Sequence, residues 1–291
     1  MRIVVTGGTG TVGKRLVRLL AERGADVGVM TRNPDARPPL PEGASYVEGD
    51  FADSDSVLRA VTGADAVYLL TPLVPNEAEL GRDAVWAIVD ARVEKIVFQS
   101  VHRVEDGSHI PHFRSKIEIA AQLKQSGVDW TIVAPNNFYQ NDLNFRPMLT
   151  GPGVYPQPLG PVGVSHVDCD DIAAVAARCL MESGHAGRTY AVVGPEAHTG
   201  EENAAIWAEA LDRPIHYIGD DLDAWAAQMG EHMPDWLVDD LVIMYRHFIE
   251  HGLLATDDDL AGMRQLLGRH PTSYKKWVTE TAERWMSQGA G

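Results

Sequence analysis

Residues 4–17 read VVTGGTGTVGKRLV, a β-branched run that passes through spaced glycines into a helix-like segment. No other stretch restricts the fold as much. Gly7, Gly10 and Gly13 give the spacing GxxGxxG, with Gly8 as an extra. In a strand–turn–helix unit the first glycine lets the chain turn sharply off the strand. The second removes a Cβ, so that a phosphate can approach the backbone. The third lets the helix pack close to the sheet. The helix N-terminus then offers free N–H groups and the positive end of its dipole to a pyrophosphate. Thr9, Thr11 and Val12 complete the loop, the threonines adding hydroxyl donors. The expectation is a dinucleotide held at this turn; the plainer alternative is a tight turn without a ligand.

The N-terminal half alternates. RIVVT reads as a buried strand, and 14–23 as a helix with apolar Leu16, Val17, Leu19 and Leu20. ADVGVMTR is a second strand, followed by the Pro-rich loop NPDARPPLPEG and a third strand, ASYVEGD. DSDSVLRAVTG reads as a short helix with Asp or Ser at its N-cap and Gly63 past its end. DAVYLLTP, KIVFQSV and DWTIVAPNNF are strands four to six, separated by helices over 75–91 and in KIEIAAQLKQSG. Repeated strand–helix–strand units predict an α/β fold, a Rossmann-type doubly wound parallel sheet. Beyond about residue 140 the pattern loosens into LTGPGVYPQPLGPVG. A helix opened by Asp168 or Asp170, a strand RTYAVVGP and a mostly helical, acidic 200–285 follow. The expected division is 1–150 for the nucleotide-binding domain and 151–291 for a smaller, helix-rich substrate lobe.

The end of strand two chooses between dinucleotides. A site selective for NAD wants an acidic side chain there for the ribose hydroxyls. This chain has Thr31 and Arg32 instead, with Asp35 a few residues late. A guanidinium suits a 2′-phosphate through paired charge-assisted hydrogen bonds, so NADP(H) is favoured over NAD(H). Asp50 and Phe51, in EGDF, are placed to take the adenine amino group and pack on the ring; alternatively Asp50 caps the next helix. Ligands of such sheets sit at the carboxyl ends of the strands. That rule nominates Leu70, Thr71 and Pro72 after strand four, Ser100 after strand five, and Pro135, Asn136, Asn137 and Phe138 after strand six.

The net charge of −16 repels nucleic-acid phosphates and anionic membrane faces, so the expected partner is a small molecule and not DNA or RNA. A homodimer or a protein partner is compatible with the same sequence. No window approaches the roughly 18 unbroken apolar residues of a membrane span, and residues 1–17 do not read as a signal peptide. A cytoplasmic location is the expectation. Cys169 and Cys179 have no CxxC partner, and the histidines show no HExxH or paired spacing, so no metal is expected.

VTGGTGTVG, TRNP, EGDF, HFRSK and VAPNNFYQN together, with LLGRHPTSYKKWV near the C-terminus, resemble the NmrA-like family. These are atypical members of the short-chain dehydrogenase superfamily. The resemblance covers nearly the whole chain. It implies the doubly wound fold and an NAD(P) cofactor. It also implies a mixed set of activities, spanning quinone, triphenylmethane dye, phenylcoumaran and isoflavone reductases as well as redox-sensing regulators.

Ordinary members of that superfamily use Tyr-x-x-x-Lys with an upstream Ser. Here His112 stands at the tyrosine position in HFRSK, Lys116 follows four residues on, and Ser100 lies twelve residues before His112. The four-residue spacing stacks both side chains on one helix face. Either His112 is itself a proton donor, or Lys116 anchors the cofactor and the substrate needs little acid from the protein. Phe138 and Tyr139 are placed to wall an aromatic substrate, His166 to face the cleft between sheet and lobe, and Asp168, Asp170 and Asp171 to cap a helix. The stripe Met229, Met233, Met244, Tyr245 and Phe248 is read as core or, less often, a substrate lid. The leading expectation is an NADPH-dependent reductase passing hydride to an apolar or aromatic acceptor such as a quinone, enone, imine or dye. The alternative is a non-catalytic NADP(H)-binding redox sensor.

Overall fold

The computed structural model describes residues 1–35 and 38–289. In chain order the elements are β1 (Arg2–Val5), α1 (Gly13–Glu22), β2 (Asp26–Thr31), β3 (Ala44–Glu48), α2 (Ser54–Val61), β4 (Ala66–Leu69), α3 (Glu77–Asp90), β5 (Lys95–Gln99), α4 (Pro111–Gln125) and β6 (Asp129–Pro135). A 3-10 segment (Tyr139–Phe145), α5 (Arg146–Thr150) and β7 (Val154–Tyr155) precede α6 (Cys169–Met181) and β8 (Arg188–Val192). The chain ends in α7 (Gly200–Leu211), β9 (His216–Tyr217), α8 (Leu222–Met229), α9 (Asp235–His251), α10 (Asp257–Leu267) and α11 (Tyr274–Gly289).

Seven strands form one parallel sheet in the order β3-β2-β1-β4-β5-β6-β8. Strands covered by helices on both faces read as continuous apolar runs, and β4 (AVYL) is buried at every position. The order reverses between β1 and β4, which makes the crevice beyond their carboxyl ends the ligand position of this topology. Helix α2 begins at an Asp53 cap, whose Oδ1 accepts from Ser56 N at 3.2 Å, and ends before Gly63 at φ +77°.

The connection from β2 to β3 is the Pro-rich loop that the sequence reading expected, and one other feature differs from that reading. The unit between β2 and β3 has no helix among the described residues; residues 36 and 37 of that loop lie outside them. Pro34, Pro38, Pro39 and Pro41 explain it, since each removes a backbone donor that a helix interior would need. The difference concerns the division of the chain. One compact unit is Met1–Pro135 with Cys169–Val192, and the other is Asn136–Asp168 with Val193–Gly291. A single boundary at residue 150 therefore does not describe it. Helix α6 and strand β8 return to the sheet, β8 pairing with β6 from Thr131↔Arg188 to Pro135↔Val192.

The second unit has its own core. Met229, Met244, Tyr245 and Phe248 are buried in it, with Trp225 and Phe248 edge-on to Tyr245, so the methionine–aromatic stripe is packing. Its centre is a buried carboxylate. Asp142 accepts from Tyr155 Oη at 3.1 Å and Trp207 Nε1 at 2.9 Å, and also from Gln157 and Tyr274. Burial raises its pKa to about 6, against the lowering effect of these four donors.

His166 belongs to this core too. It is 2% exposed, its Nδ1 lies 3.2 Å from Val164 O, its ring stacks on Tyr274, and Nε2 has no hydrogen-bond partner. Burial, with His198 adding to it, lowers its pKa to about 3. The folded state therefore holds this imidazole neutral. Its stabilising contribution is present above the unfolded value near 6.5 and is lost as pH falls towards 3. A His166→Gln variant is expected to lose stability less steeply than wild type below pH 6. The difference in slope is about 1.4 kcal/mol per pH unit, read from urea unfolding.

Candidate functional site

The site grows out of the turn after β1. Gly7 has φ +66°, and a Cβ there would lie 3.0 Å from Leu70 Cδ2. Gly10 N donates to Gly7 O at 2.9 Å, closing the turn. At Gly13 an added Cβ would fall 2.1 Å from Gly7 O and 2.6 Å from Gly8 Cα, so only glycine lets α1 start against the turn. No side chain caps α1, and its first turn carries no acidic residue. An uncapped helix N-terminus without a competing carboxylate is what an anion requires. The residues present therefore fit a dinucleotide pyrophosphate.

A groove of about 620 Å³ opens beyond the strand ends, within the range of about 300–1,000 Å³ common for ligand sites. Gly7, Thr9 and Gly10 form its base after β1; Met30, Thr31 and Arg32 line it after β2. Asp50 and Phe51 follow from β3, and Leu70, Thr71 and Pro72 from β4. Arg32 is exposed and also borders a side cavity of about 310 Å³, which Asp50, Asp53 and Arg59 share. Asp50 does not cap α2. Its Oδ1 accepts from Ala52 N at 3.1 Å, while Asp53 takes the capping position.

Lys116 is buried on α4, 7% exposed. Its Nζ donates to Thr71 Oγ1 at 2.7 Å and to Glu77 Oε1 at 2.5 Å, and lies 5.8 Å from the Phe98 ring centroid. Thr71 Oγ1 donates in turn to Glu77 Oε1 at 2.6 Å. Lys116 thus stands behind Thr71, which is part of the groove wall. His112, one turn earlier, is half-buried and sits edge-on to Phe113 at 4.8 Å. Ser100 is buried, its N–H donating to Val133 O at 2.9 Å. Thr11 accepts from Arg15 Nη1 through its backbone oxygen at 2.7 Å, and Val12 is buried at the start of α1. Neither these four nor Pro135, whose oxygen accepts from His102 N at 2.9 Å, lines the groove.

The residues after Pro135 belong to the second unit. Asn136 is 1% exposed; its Nδ2 donates to Leu253 O at 2.9 Å and its Oδ1 accepts from Asn137 N at 2.7 Å, so its amide serves the local backbone. Phe138 forms a parallel bridge with Val167. Tyr139 is 1% exposed, donates to Thr272 O at 2.9 Å and packs on Tyr274 and Trp277, which makes it core and not a substrate wall. Among the described residues no group of three or more His, Cys, Asp or Glu is placed to hold a metal ion, and no helix is long and apolar enough to cross a membrane. The sequence reading missed Glu77. A carboxylate in the first turn of a helix is the ordinary complement to the dipole, so nothing local marked it.

A parallel sheet with its order reversed at a glycine turn, and a groove at that reversal, define a dinucleotide-binding protein of the doubly wound class. The chain belongs to the NmrA-like family, whose pattern matches residues 1–275. It is 34% identical over 263 residues to an NAD(P)H azoreductase of Xenophilus azovorans, covering 90% of each chain. It is 32% identical over 284 residues to a (4-alkanoyl-5-oxo-2,5-dihydrofuran-3-yl)methyl phosphate reductase of Streptomyces griseus, covering 97% of this chain and 98% of the relative. The NADPH complex of an Escherichia coli NADPH-dependent quinone oxidoreductase has the same fold, with a TM-score of 0.84 at 23% identity over 98% of this chain and 99% of that one.

Proposed function

We propose that this protein is an NADPH-dependent reductase acting on small, flat, apolar or aromatic acceptors of the quinone, enone, imine or dye type. The observation that carries this reading is the groove at the β1/β4 reversal, with the glycine turn at its base, Arg32 on its border and Lys116 behind its wall. Similarity to an azoreductase and to a dihydrofuranone phosphate reductase supports reduction as the reaction.

When bound, the nicotinamide supplies the hydride; the chain supplies binding, orientation and exclusion of water. The N–H groups at the start of α1 take the pyrophosphate. Arg32 takes the 2′-phosphate, and Asp50 and Phe51 the adenine. Thr71 and Lys116 meet the ribose next to the nicotinamide. His112 stands one helical turn from Lys116 on the same helix, and its imidazole is the candidate proton donor to the acceptor. The test is loss of NADPH absorbance against a panel of quinones, enones and cationic dyes. Turnover with at least one class is expected; tight NADPH binding without turnover on any acceptor would leave the redox-sensor reading.

Arg32 gives a separate prediction. An Arg32→Ala substitution is expected to weaken NADPH binding about tenfold or more, the worth of one charge-assisted contact. NADH binding should stay nearly unchanged. Fluorescence titration with both cofactors reads the ratio, and equal losses for the two would show that the guanidinium does not read the 2′-phosphate.

A further inference from the structure

Glu77 is the most unusual group in the nucleotide-binding unit. It is 1% exposed, at the first position of α3. Its Oε1 accepts from both Lys116 and Thr71, while its Oε2 has no hydrogen-bond partner. A buried carboxylate is costly unless it is both paired and fully hydrogen-bonded, and this one is paired but under-satisfied. Helix capping does not explain it. Glu79 lies in the same first turn, remains exposed and complements the dipole without burial. A stability penalty kept in place beside a ligand groove marks a functional position.

The hydrogen-bond inventory says what the position does. An ammonium has three donors. Glu77 and Thr71 engage two of those on Lys116, which leaves one for a ligand hydroxyl. Thr71 accepts from Lys116 and donates to Glu77, so its hydroxyl direction is fixed as well. Without Glu77 the long lysine side chain would regain its rotamers, and Thr71 would be free to turn. The partners are 39 residues apart, on α3 and α4, so the contact also locks two helices in register at the groove.

We propose that Glu77 is the positioning residue of this site, holding the Lys116 ammonium and the Thr71 hydroxyl in the orientation in which they receive the cofactor ribose. This rests on the reading of Lys116 as a cofactor contact. Glu77 acts through Lys116 and touches neither cofactor nor acceptor itself.

The test compares Glu77→Gln, Glu77→Asp, Glu77→Met, Lys116→Met and the Glu77→Met/Lys116→Met double variant. Three quantities are read: thermal midpoint without cofactor, NADPH dissociation constant, and single-turnover rate with a quinone that the wild type reduces. Lys116→Met and Glu77→Gln are each expected to weaken NADPH binding and slow the single turnover by about tenfold to a hundredfold, the scale of an ångström-level misplacement. Glu77→Asp should recover part of the loss. The double variant removes the buried charge pair altogether, so its thermal midpoint should return towards wild type. Its binding and rate should be no worse than those of Lys116→Met alone. Wild-type affinity and rate in Glu77→Gln, with only the midpoint lowered, would reduce Glu77 to a structural ion pair and overturn the proposal. So would a double variant whose losses equal the product of the two single losses. Wild-type affinity and rate in Lys116→Met would instead remove the cofactor role of Lys116, on which the proposal stands.

Discussion

A Gly13→Ala variant is expected to lose both its NADPH binding and a large part of its stability, whereas Gly10→Ala loses only the binding. The two positions differ in what a methyl group meets. At Gly13 the added carbon would sit 2.1 Å from Gly7 O and 2.6 Å from Gly8 Cα, both backbone atoms that cannot rotate away. Either the turn or the start of α1 must move, and each is built into the β1–α1 core around Leu16 and Val17. Overpacking of this kind costs about 1–3 kcal/mol or more. Gly10 is exposed, and its Cβ would meet only Gly7 O, at 3.2 Å. It lines the groove, so on the proposed reading the methyl takes the space that the phosphate would fill. The expectation for Gly10→Ala is a midpoint close to wild type with NADPH affinity reduced about tenfold or more. Calorimetric melting and NADPH titration on the two variants check it. Unchanged affinity in Gly10→Ala would mean that no phosphate lies against this turn.

The second large effect belongs to the other unit. An Asp142→Ala variant leaves four donors without an acceptor: Tyr155, Gln157, Trp207 and Tyr274. These come from the segment after Asp142, from α7 and from α11, so the carboxylate ties three parts of that unit together. Breaking a buried network of this kind costs roughly 3–5 kcal/mol. The dependence on pH has a definite sign. The folded pKa, raised to about 6 by burial, exceeds the unfolded value near 3.9. The protonated group's contribution is thus fully present below about pH 4 and is lost as pH rises through about 6. Wild type loses that contribution on going from pH 4 to pH 7, and the alanine variant has none to lose. The stability gap between them should therefore narrow across this window. Urea unfolding at pH 4.5, 6 and 7.5 measures the gap, and a gap that widens with pH would contradict the assignment.

Both residues show how far sequence alone reaches. The glycine turn was legible because its demands are local: strand, turn and helix follow each other within residues 2–22. The same holds for the apolar runs of β1 to β6 and for the Asp53 cap of α2. Which sheet a strand joins is a long-range property. RTYAV read correctly as a strand, but nothing local said that it pairs with β6, across the whole excursion from 136 to 168. The site divides along the same line. Arg32, Asp50, Phe51 and the Leu70–Pro72 turn follow from the rule that ligands lie at strand ends, and they line one groove. Glu77 and Asp142 draw their importance from partners up to 39 and 132 residues away. Their local sequence, NEAEL and YQNDLN, looks like an ordinary helix start and an ordinary polar turn. Tyr139 and His166 erred in the opposite direction. Polar aromatic groups near an expected cleft look like substrate contacts, yet each is buried within its own unit.

The most direct test of the reductase reading is isotopic. NADPH carrying deuterium at C4 of the nicotinamide, prepared separately in each of the two stereochemical forms, is incubated with the protein. The acceptor is an enone or a triphenylmethane-type dye that accepts hydride at carbon, where the label cannot exchange with water. Mass spectrometry of the reduced product should find one deuterium from one of the two forms and none from the other, as expected for a nicotinamide fixed in a single orientation. Saturable NADPH binding with no label in any product would contradict a reductase and leave a protein that only senses its cofactor.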